Sequence, residues 1–290
     1  MPELPEVETI VRALRRSPTD EHLAADRRWP SLLGLTLRGA ELGWERTLAA
    51  PSPAEFFARL PGQRVERIGR RGKFLRFDLS RGDTLLIHLR MSGDLRVEPA
   101  ADARGRPLPL EPHDRAVFYF AEGVRLAFND ARKFGRIWLT DNPAAVLSGL
   151  GPEPLDPELT PADFYHRLHA RRRLLKPLLL DQSFLSGLGN IYTDEALHLA
   201  GLHPLTLSHQ VTPAAAARLL AAIRAVLEEG IRRNGASIDW AYRGGSFQNT
   251  FRVYGRAGQP CPTCGGTIER LLVGQRGTHF CPTCQPLPPN

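Results

Sequence analysis

Met1-Pro2-Glu3-Leu4-Pro5-Glu6-Val7-Glu8-Thr9 opens the chain. Its acids and prolines run into an apolar stripe, Val7, Ile10, Val11 and Leu14, with the spacing of an amphipathic helix. A small second residue favours removal of the initiator Met, which leaves Pro2 with a free secondary amine. Condensation of such an amine with an aldehyde carbon gives an iminium that is always positively charged. That iminium is an electron sink, the Schiff-base form of covalent catalysis. Glu3 and Glu6 then flank the amine as candidate proton-transfer groups. A plain capped helix also carries acids in its first turn, because they complement the helix dipole. Both readings fit this stretch taken alone.

Outward from it, the composition narrows the choice. A chain of 290 residues can bury a full core and has room for two domains. Its net charge of +7 favours a polyanionic partner, nucleic acid before membrane. No apolar run approaches the roughly 18 residues that a membrane span needs. The acidic, proline-rich start has no apolar segment of a secretory signal, so a cytosolic protein is expected. Lys occurs only at Lys73, Lys133 and Lys176, while Arg supplies the other 35 of 38 basic residues. Arg is the fork-shaped phosphate donor and Lys a compact charge on a flexible stem, so the three Lys positions stand out.

All four cysteines lie near the other end, in Cys261-Pro-Thr-Cys264 and, sixteen residues later, Cys281-Pro-Thr-Cys284. This is zinc-ligand spacing. Two Cys-x-x-Cys pairs close a tetrahedral shell with no open position, so one structural Zn2+ is expected. Disulfides do not suit a cytosolic chain. Between the pairs, Ile268–Leu272 and Thr278–Phe280 read as two strands, which puts Arg276 near a hairpin tip. There it suits a phosphate contact, although a tip Arg is also an ordinary solvated charge.

Between the ends, residues 33–140 read mainly as strands: Lys73–Leu79, Leu85–Leu89, Ala116–Phe120, Val124–Phe128 and Arg136–Leu139. Turns fall at Arg81-Gly82-Asp83, Ser92-Gly93-Asp94 and Glu122-Gly123. Short antiparallel strands with such turns predict a β-sandwich. Pro99–Pro112 reads as a mobile loop and Gly149–Pro161 as a linker. Beyond it the pattern turns helical, with Thr212-Pro213 opening a long helix and Asn234-Gly235 ending it. Leu174–Asp181 and Ile191–Leu199 bracket Ser186-Gly187-Leu188-Gly189-Asn190, where backbone amides and Asn190 can meet a phosphate. A plain helical corner has the same pattern.

Two turns carry residues that suit opening a duplex. Met91, in His88-Leu89-Arg90-Met91-Ser92-Gly93, is apolar and bendable enough to fill the gap left by an extruded nucleotide, or simply to pack in the core. In Asn129-Asp130-Ala131-Arg132-Lys133-Phe134-Gly135, Phe134 suits a wedge between bases and Arg132 a contact to a base edge.

The string Pro-Glu-Leu-Pro-Glu-Val-Glu-Thr, with Gly-Leu-Gly-Asn-Ile-Tyr and the cysteine pairs, resembles the formamidopyrimidine-DNA glycosylases of bacterial base excision repair. The resemblance spans nearly the whole chain. It implies an α+β fold of two domains, a β-sandwich with an N-terminal helix (1–150) and a helix–two-turn–helix domain (151–250) that carries a four-cysteine zinc finger (251–290). It also implies a monomer acting on double-stranded DNA with oxidised bases or abasic sites. Pro2 would attack C1′, with Glu3 moving protons and Glu6 assisting. Lys73, grouped with this catalytic set, would hold the lesion phosphates with Asn190 and Arg276, and Lys176 would lie near the DNA. Met91, Arg132 and Phe134 would fill the void and read the opposite base. Leu4 favours this branch over endonuclease VIII-like enzymes, which excise oxidised pyrimidines. A non-enzymatic zinc-dependent DNA-binding protein is the rival of another class, and it has no use for Pro2. Three features depart from the family: an extended connection at 17–32, Ala131 where Pro is common, and a short segment, 235–248, where the family closes over the flipped base.

Overall fold

A computed structural model describes residues 2–15, 25–238 and 242–287. Parts of the 17–32 connection and of the 235–248 segment therefore lie outside the described residues. The chain divides into two compact units, Met1–Ser148 with Asn234–Ser246, and Gly149–Arg233 with Phe247–Asn290.

In the first unit α1 (Leu4–Arg15) buries Val7, Ile10, Val11 and Leu14, as its period requires. Strands β1 (Leu37–Glu41) and β2 (Leu48–Ala50) follow, then the short helix α2 (Pro53–Arg59), which Ser52 caps through the Glu55 N–H. Seven strands come next: β3 (Val65–Arg71), β4 (Phe74–Leu79), β5 (Thr84–His88), β6 (Gly93–Pro99), β7 (Asp114–Phe120), β8 (Val124–Asp130) and β9 (Arg136–Thr140). Helix α3 (Pro143–Leu147) closes the run. One sheet has the order β1-β7-β8-β6 and the other β2-β9-β5-β4-β3. Alternate residues of both sheets, among them Leu75, Phe77, Ile87, Leu95, Phe118 and Phe128, form a single core with α1. The expected sandwich is present, with one parallel pair, β2 on β9, in an otherwise antiparallel arrangement.

Two segments differ from the sequence expectation. Pro99–Pro112, read as mobile, is tied down. The buried Arg125 guanidinium donates to the carbonyls of Leu108 (2.6 Å) and Pro109 (2.9 Å). Asp102 accepts the N–H groups of Arg104 and Arg106, at 2.9 Å each. The stretch Asn234–Ser246, assigned from sequence to the helical domain, packs with the first unit, because its backbone and Tyr242 are held by α1 and by the connection that follows α1.

The second unit holds α4 (Pro161–His169), α5 (Leu175–Leu180), α6 (Asn190–Ala200), α7 (Pro213–Arg232) and the hairpin β10 (Glu269–Val273) with β11 (Arg276–Phe280). Thr160 and Asp163 form a capping box on α4, and Thr212 caps α7 through the Ala215 N–H. The 149–161 linker is stapled by Arg224, which donates to the carbonyls of Pro154, Asp156 and Leu159. No described helix is long and apolar enough to cross a membrane.

Candidate active site

In the first unit Pro2 is buried immediately before α1. Glu3 and Glu6 are each only 2% exposed. The Glu3 N–H donates to Glu6 Oε2 (2.7 Å), and the Ala236 N–H, from the far end of the chain, donates to Glu6 Oε1 (2.8 Å). A buried carboxylate needs such donors, and bonds to an ionised acceptor are the strong ones. Gly235 makes the approach possible. Its φ is +81°, and a Cβ there would fall 2.7 Å from Glu6 Oε1. Thus Glu6 spans two pieces of backbone and fixes the peptide that follows Pro2.

Lys73 sits in the tight β3–β4 turn and is largely buried. Met91 lies on the β5–β6 turn and Arg132 with Phe134 on the β8–β9 turn. A single side chain joins these last two turns. Asp130, fully buried, accepts from Ser92 Oγ, from the Arg132 N–H (3.2 Å) and from the Gly135 N–H (2.7 Å). The knot leaves Phe134 projecting, 52% exposed, with Arg132 also exposed. An exposed Phe on a pinned turn is poised to enter a base stack. Beside Met91, burial and then the charges of Arg90 and Lys73 push the His88 imidazole down to about 3. It therefore stays neutral, and its Nδ1 accepts the Arg90 N–H at 3.0 Å.

In the second unit Asn190 begins α6, and its side-chain Nδ2 donates to Gly277 O (3.0 Å) on the zinc hairpin. Arg276 is exposed, next to the hairpin turn. Lys176 departs from the expected DNA contact: it is 0% exposed. Its Nζ donates to the Asn190 carbonyl (3.1 Å) and pairs with Asp194. Unpairing a buried ion pair is costly, so Lys176 is held inside rather than offered to a phosphate. The second Asp194 oxygen takes the His279 N–H at 2.9 Å. One acid thus links α5, α6 and the hairpin strand. Its neighbour Glu195 accepts the N–H groups of Arg252, Val253 and Tyr254 at 2.8–3.0 Å, where the chain enters the cysteine-bearing segment.

The sulfurs of Cys261, Cys264, Cys281 and Cys284 all lie within 4.8 Å of one another. Cys261 and Cys284 are 3.8 Å apart and Cys264 and Cys281 3.5 Å, against the roughly 3.8 Å edge of a tetrahedron built on Zn–S bonds. Backbone N–H groups of Thr263 and Gly266 point at Cys261 and Cys264, and His198 Nε2 lies 3.4 Å from Cys261 Sγ. These surroundings suit thiolates. The four cysteines hold one Zn2+ in a closed, structural shell.

Three functional-looking residues were not singled out from sequence: Asp130, Asp194 and Glu195. An acid at a strand end before a Gly-containing turn is a local signal for Asp130. Asp194 and Glu195 carry no such signal, since their partners are distant in the chain.

Residues 1–137 match the family described as the formamidopyrimidine-DNA glycosylase N-terminal domain. Residues 150–241 match that enzyme's H2TH domain, and 258–287 a zinc finger found in FPG and IleRS. The chain is 46% identical to a formamidopyrimidine-DNA glycosylase of Chloroflexus aurantiacus, over 98% of each chain. It is 40% identical to one of Pelotomaculum thermopropionicum, over 98% of this chain and 99% of that one. Among solved structures it resembles a Lactococcus lactis mutant in complex with DNA containing Fapy-dG (TM-score 0.85, 35% identity, 99% of this chain and 100% of that one). The L. lactis enzyme bound non-covalently to DNA with an AP site is similar (TM-score 0.84, 34% identity, 98% and 100%).

Proposed function

The chain belongs to the formamidopyrimidine-DNA glycosylase family, and we propose that Pro2, Glu3 and Glu6 carry its chemistry on duplex DNA held by Lys73, Asn190 and Arg276. It is a glycosylase for oxidised purines with the abasic-site lyase activity typical of the family. Once Met1 is removed, the Pro2 nitrogen adds to C1′ of the damaged nucleotide and the glycosidic bond breaks, the base leaving with a proton. Glu3 moves protons at the opened sugar. The resulting iminium acidifies the C2′ proton, and its loss expels the 3′ phosphate by β-elimination. A second, δ-elimination expels the 5′ phosphate. No step requires a metal at the reacting atoms; the zinc holds the hairpin that carries Arg276. The observation that carries this reading is Glu6, which is bonded to the Glu3 peptide and to Ala236 and so immobilises the residues beside the nucleophile.

Met91, Arg132 and Phe134 occupy the space of the extruded nucleotide, with Arg132 on the base opposite. Asn190 keeps a second amide hydrogen for a phosphate oxygen, and Lys176 acts through the Asn190 peptide and Asp194. One chain carries all of these groups, so we infer a monomer, working in the bacterial cytoplasm where the chromosome lies.

Excision from duplexes that place one lesion opposite each of the four bases, at two salt concentrations, tests these assignments. 8-Oxoguanine should be released faster than an oxidised pyrimidine; the reverse order would assign the chain an endonuclease VIII-like specificity. Lys73→Ala and Arg276→Ala should weaken binding to all duplexes and each lower the salt slope by about 1. Arg132→Ala should instead relax the preference for cytosine over adenine opposite the lesion, by about 1–3 kcal/mol of discrimination. Equal loss against all four bases would make Arg132 another backbone contact.

A further inference from the structure

The described part of the connection after α1 is built around one buried cation. Arg27 is 2% exposed. Its guanidinium donates to Leu95 O (3.0 Å) and to Asp94 Oδ2 (2.7 Å), both on β6. Its guanidinium carbon lies over two aromatic rings, 5.0 Å from the centroid of Trp29 and 4.9 Å from that of Tyr242. Trp29 belongs to the same connection and is itself buried. Tyr242 comes from the Asn234–Ser246 stretch, and its hydroxyl donates back to Asn234 O at 2.6 Å. Gly245 N–H donates to Ser237 Oγ at 2.8 Å, which ties two described parts of the stretch together. The first residues of that stretch, Gly235 and Ala236, are the ones that meet Glu6.

These contacts form one chain of cause. β6 and the Trp29 ring orient the guanidinium, the guanidinium seats the Tyr242 ring, and the Tyr242 hydroxyl fixes the Asn234 carbonyl. The Asn234 carbonyl sets the direction of the next peptides, and Ala236 N–H reaches Glu6. We propose that Arg27, with Trp29, is a positioning residue for catalysis, a clamp that presents the Asn234–Ser246 loop to Glu6 before substrate arrives. A buried cation packed on two rings suits this task, because cation–π attraction grows when the partners are desolvated. The connection thereby acquires a role: it supplies the cation and one ring of the clamp.

The proposal rests on the assignment of Glu6 to the catalytic set, and the experiment separates the two. Single-turnover base release and DNA affinity are measured for the full-length zinc-loaded protein and for Arg27→Ala, Arg27→Lys and Tyr242→Phe. Amide hydrogen exchange of residues 235–246 is followed in parallel. Arg27→Ala should slow base release about tenfold or more, equivalent to one power of ten in the barrier term. Its DNA dissociation constant should stay within about twofold, because the phosphate contacts lie elsewhere. Exchange at Ala236 and Gly245 should accelerate. Arg27→Lys keeps a cation on the rings and should recover most of the rate. Tyr242→Phe removes only the hydroxyl, leaves the core intact and should slow base release while speeding exchange at Ala236. Native rates in both Arg27→Ala and Tyr242→Phe would overturn the clamp, as would unchanged exchange. So would a parallel fall of rate and affinity that Arg27→Lys does not reverse. Glu6→Gln serves as the control: native base release in that variant would remove Glu6 from catalysis, whereas loss of rate there with native Arg27→Ala would refute the clamp alone.

Discussion

Borohydride added to this protein on abasic DNA is expected to leave a covalent adduct at Pro2. The iminium has a single carbon–nitrogen double bond to reduce, and reduction turns it into a stable amine. Peptide mapping should place the DNA remnant on the N-terminal proline of Met1-processed protein. A variant that retains Met1 has an amide at that nitrogen, and an amide nitrogen is not nucleophilic. Trapping and base release should then fall by at least about a thousandfold, the scale on which removal of a nucleophile is felt. Pro2→Gly offers a primary amine whose imine is neutral unless protonated, so trapping should weaken without vanishing. Glu3→Gln keeps the amine and removes the proton carrier, for a loss of about 10²–10⁴-fold in base release. Efficient trapping through a lysine in the native protein would overturn the assignment.

The second large effect concerns the metal. Zinc held by four thiolates makes binding energy part of local folding energy, about 10–16 kcal/mol for structural sites. Cys264→Ser removes one corner of a shell whose sulfurs already stand at tetrahedral spacing. The variant should lose zinc by elemental analysis and lose the hairpin that carries Arg276. DNA binding should then weaken by about tenfold or more, since a phosphate contact and its support disappear together. The sandwich has its own core and should stay folded, visible as an unchanged unfolding transition for that part of the chain. Protein purified without chelator and found to contain no zinc would refute the metal assignment.

The features that were legible from sequence are those written locally. The α1 stripe, the cysteine pairs and the hairpin between them depend on neighbours within a few residues, so spacing reports them directly. The exposed Arg132 and Phe134 fall in this class as well. What stayed hidden depends on distant partners. Glu6 is legible as a candidate beside the Pro2 amine, but the donor that holds it, Ala236, lies 230 residues away. The role of Asp130 requires Ser92, 38 residues earlier. Lys176 was placed near the DNA by the family resemblance, yet its partner is Asp194, 18 residues on. Strands β1 and β3 were passed over because Gly and Arg dilute their two-residue alternation, β2 because it has only three residues, and β6 because it starts within Ser92-Gly93-Asp94, which reads as a turn.

Asp194 and Glu195 are adjacent on α6 and hold two different parts of the C-terminal segment: one the strand at His279, the other the three peptides at 252–254. This arrangement makes α6 a template. The cysteine-bearing segment is too small to support much of a core, its buried apolar cluster being little more than Val253, Ile268 and two cysteines. By linkage, whatever α6 contributes to ordering the segment also appears as tighter zinc binding. Metal affinity is thus a property of the helical unit as well as of the four cysteines. Damage to α6 far from any sulfur would be felt first as metal loss, and only afterwards as loss of grip on DNA.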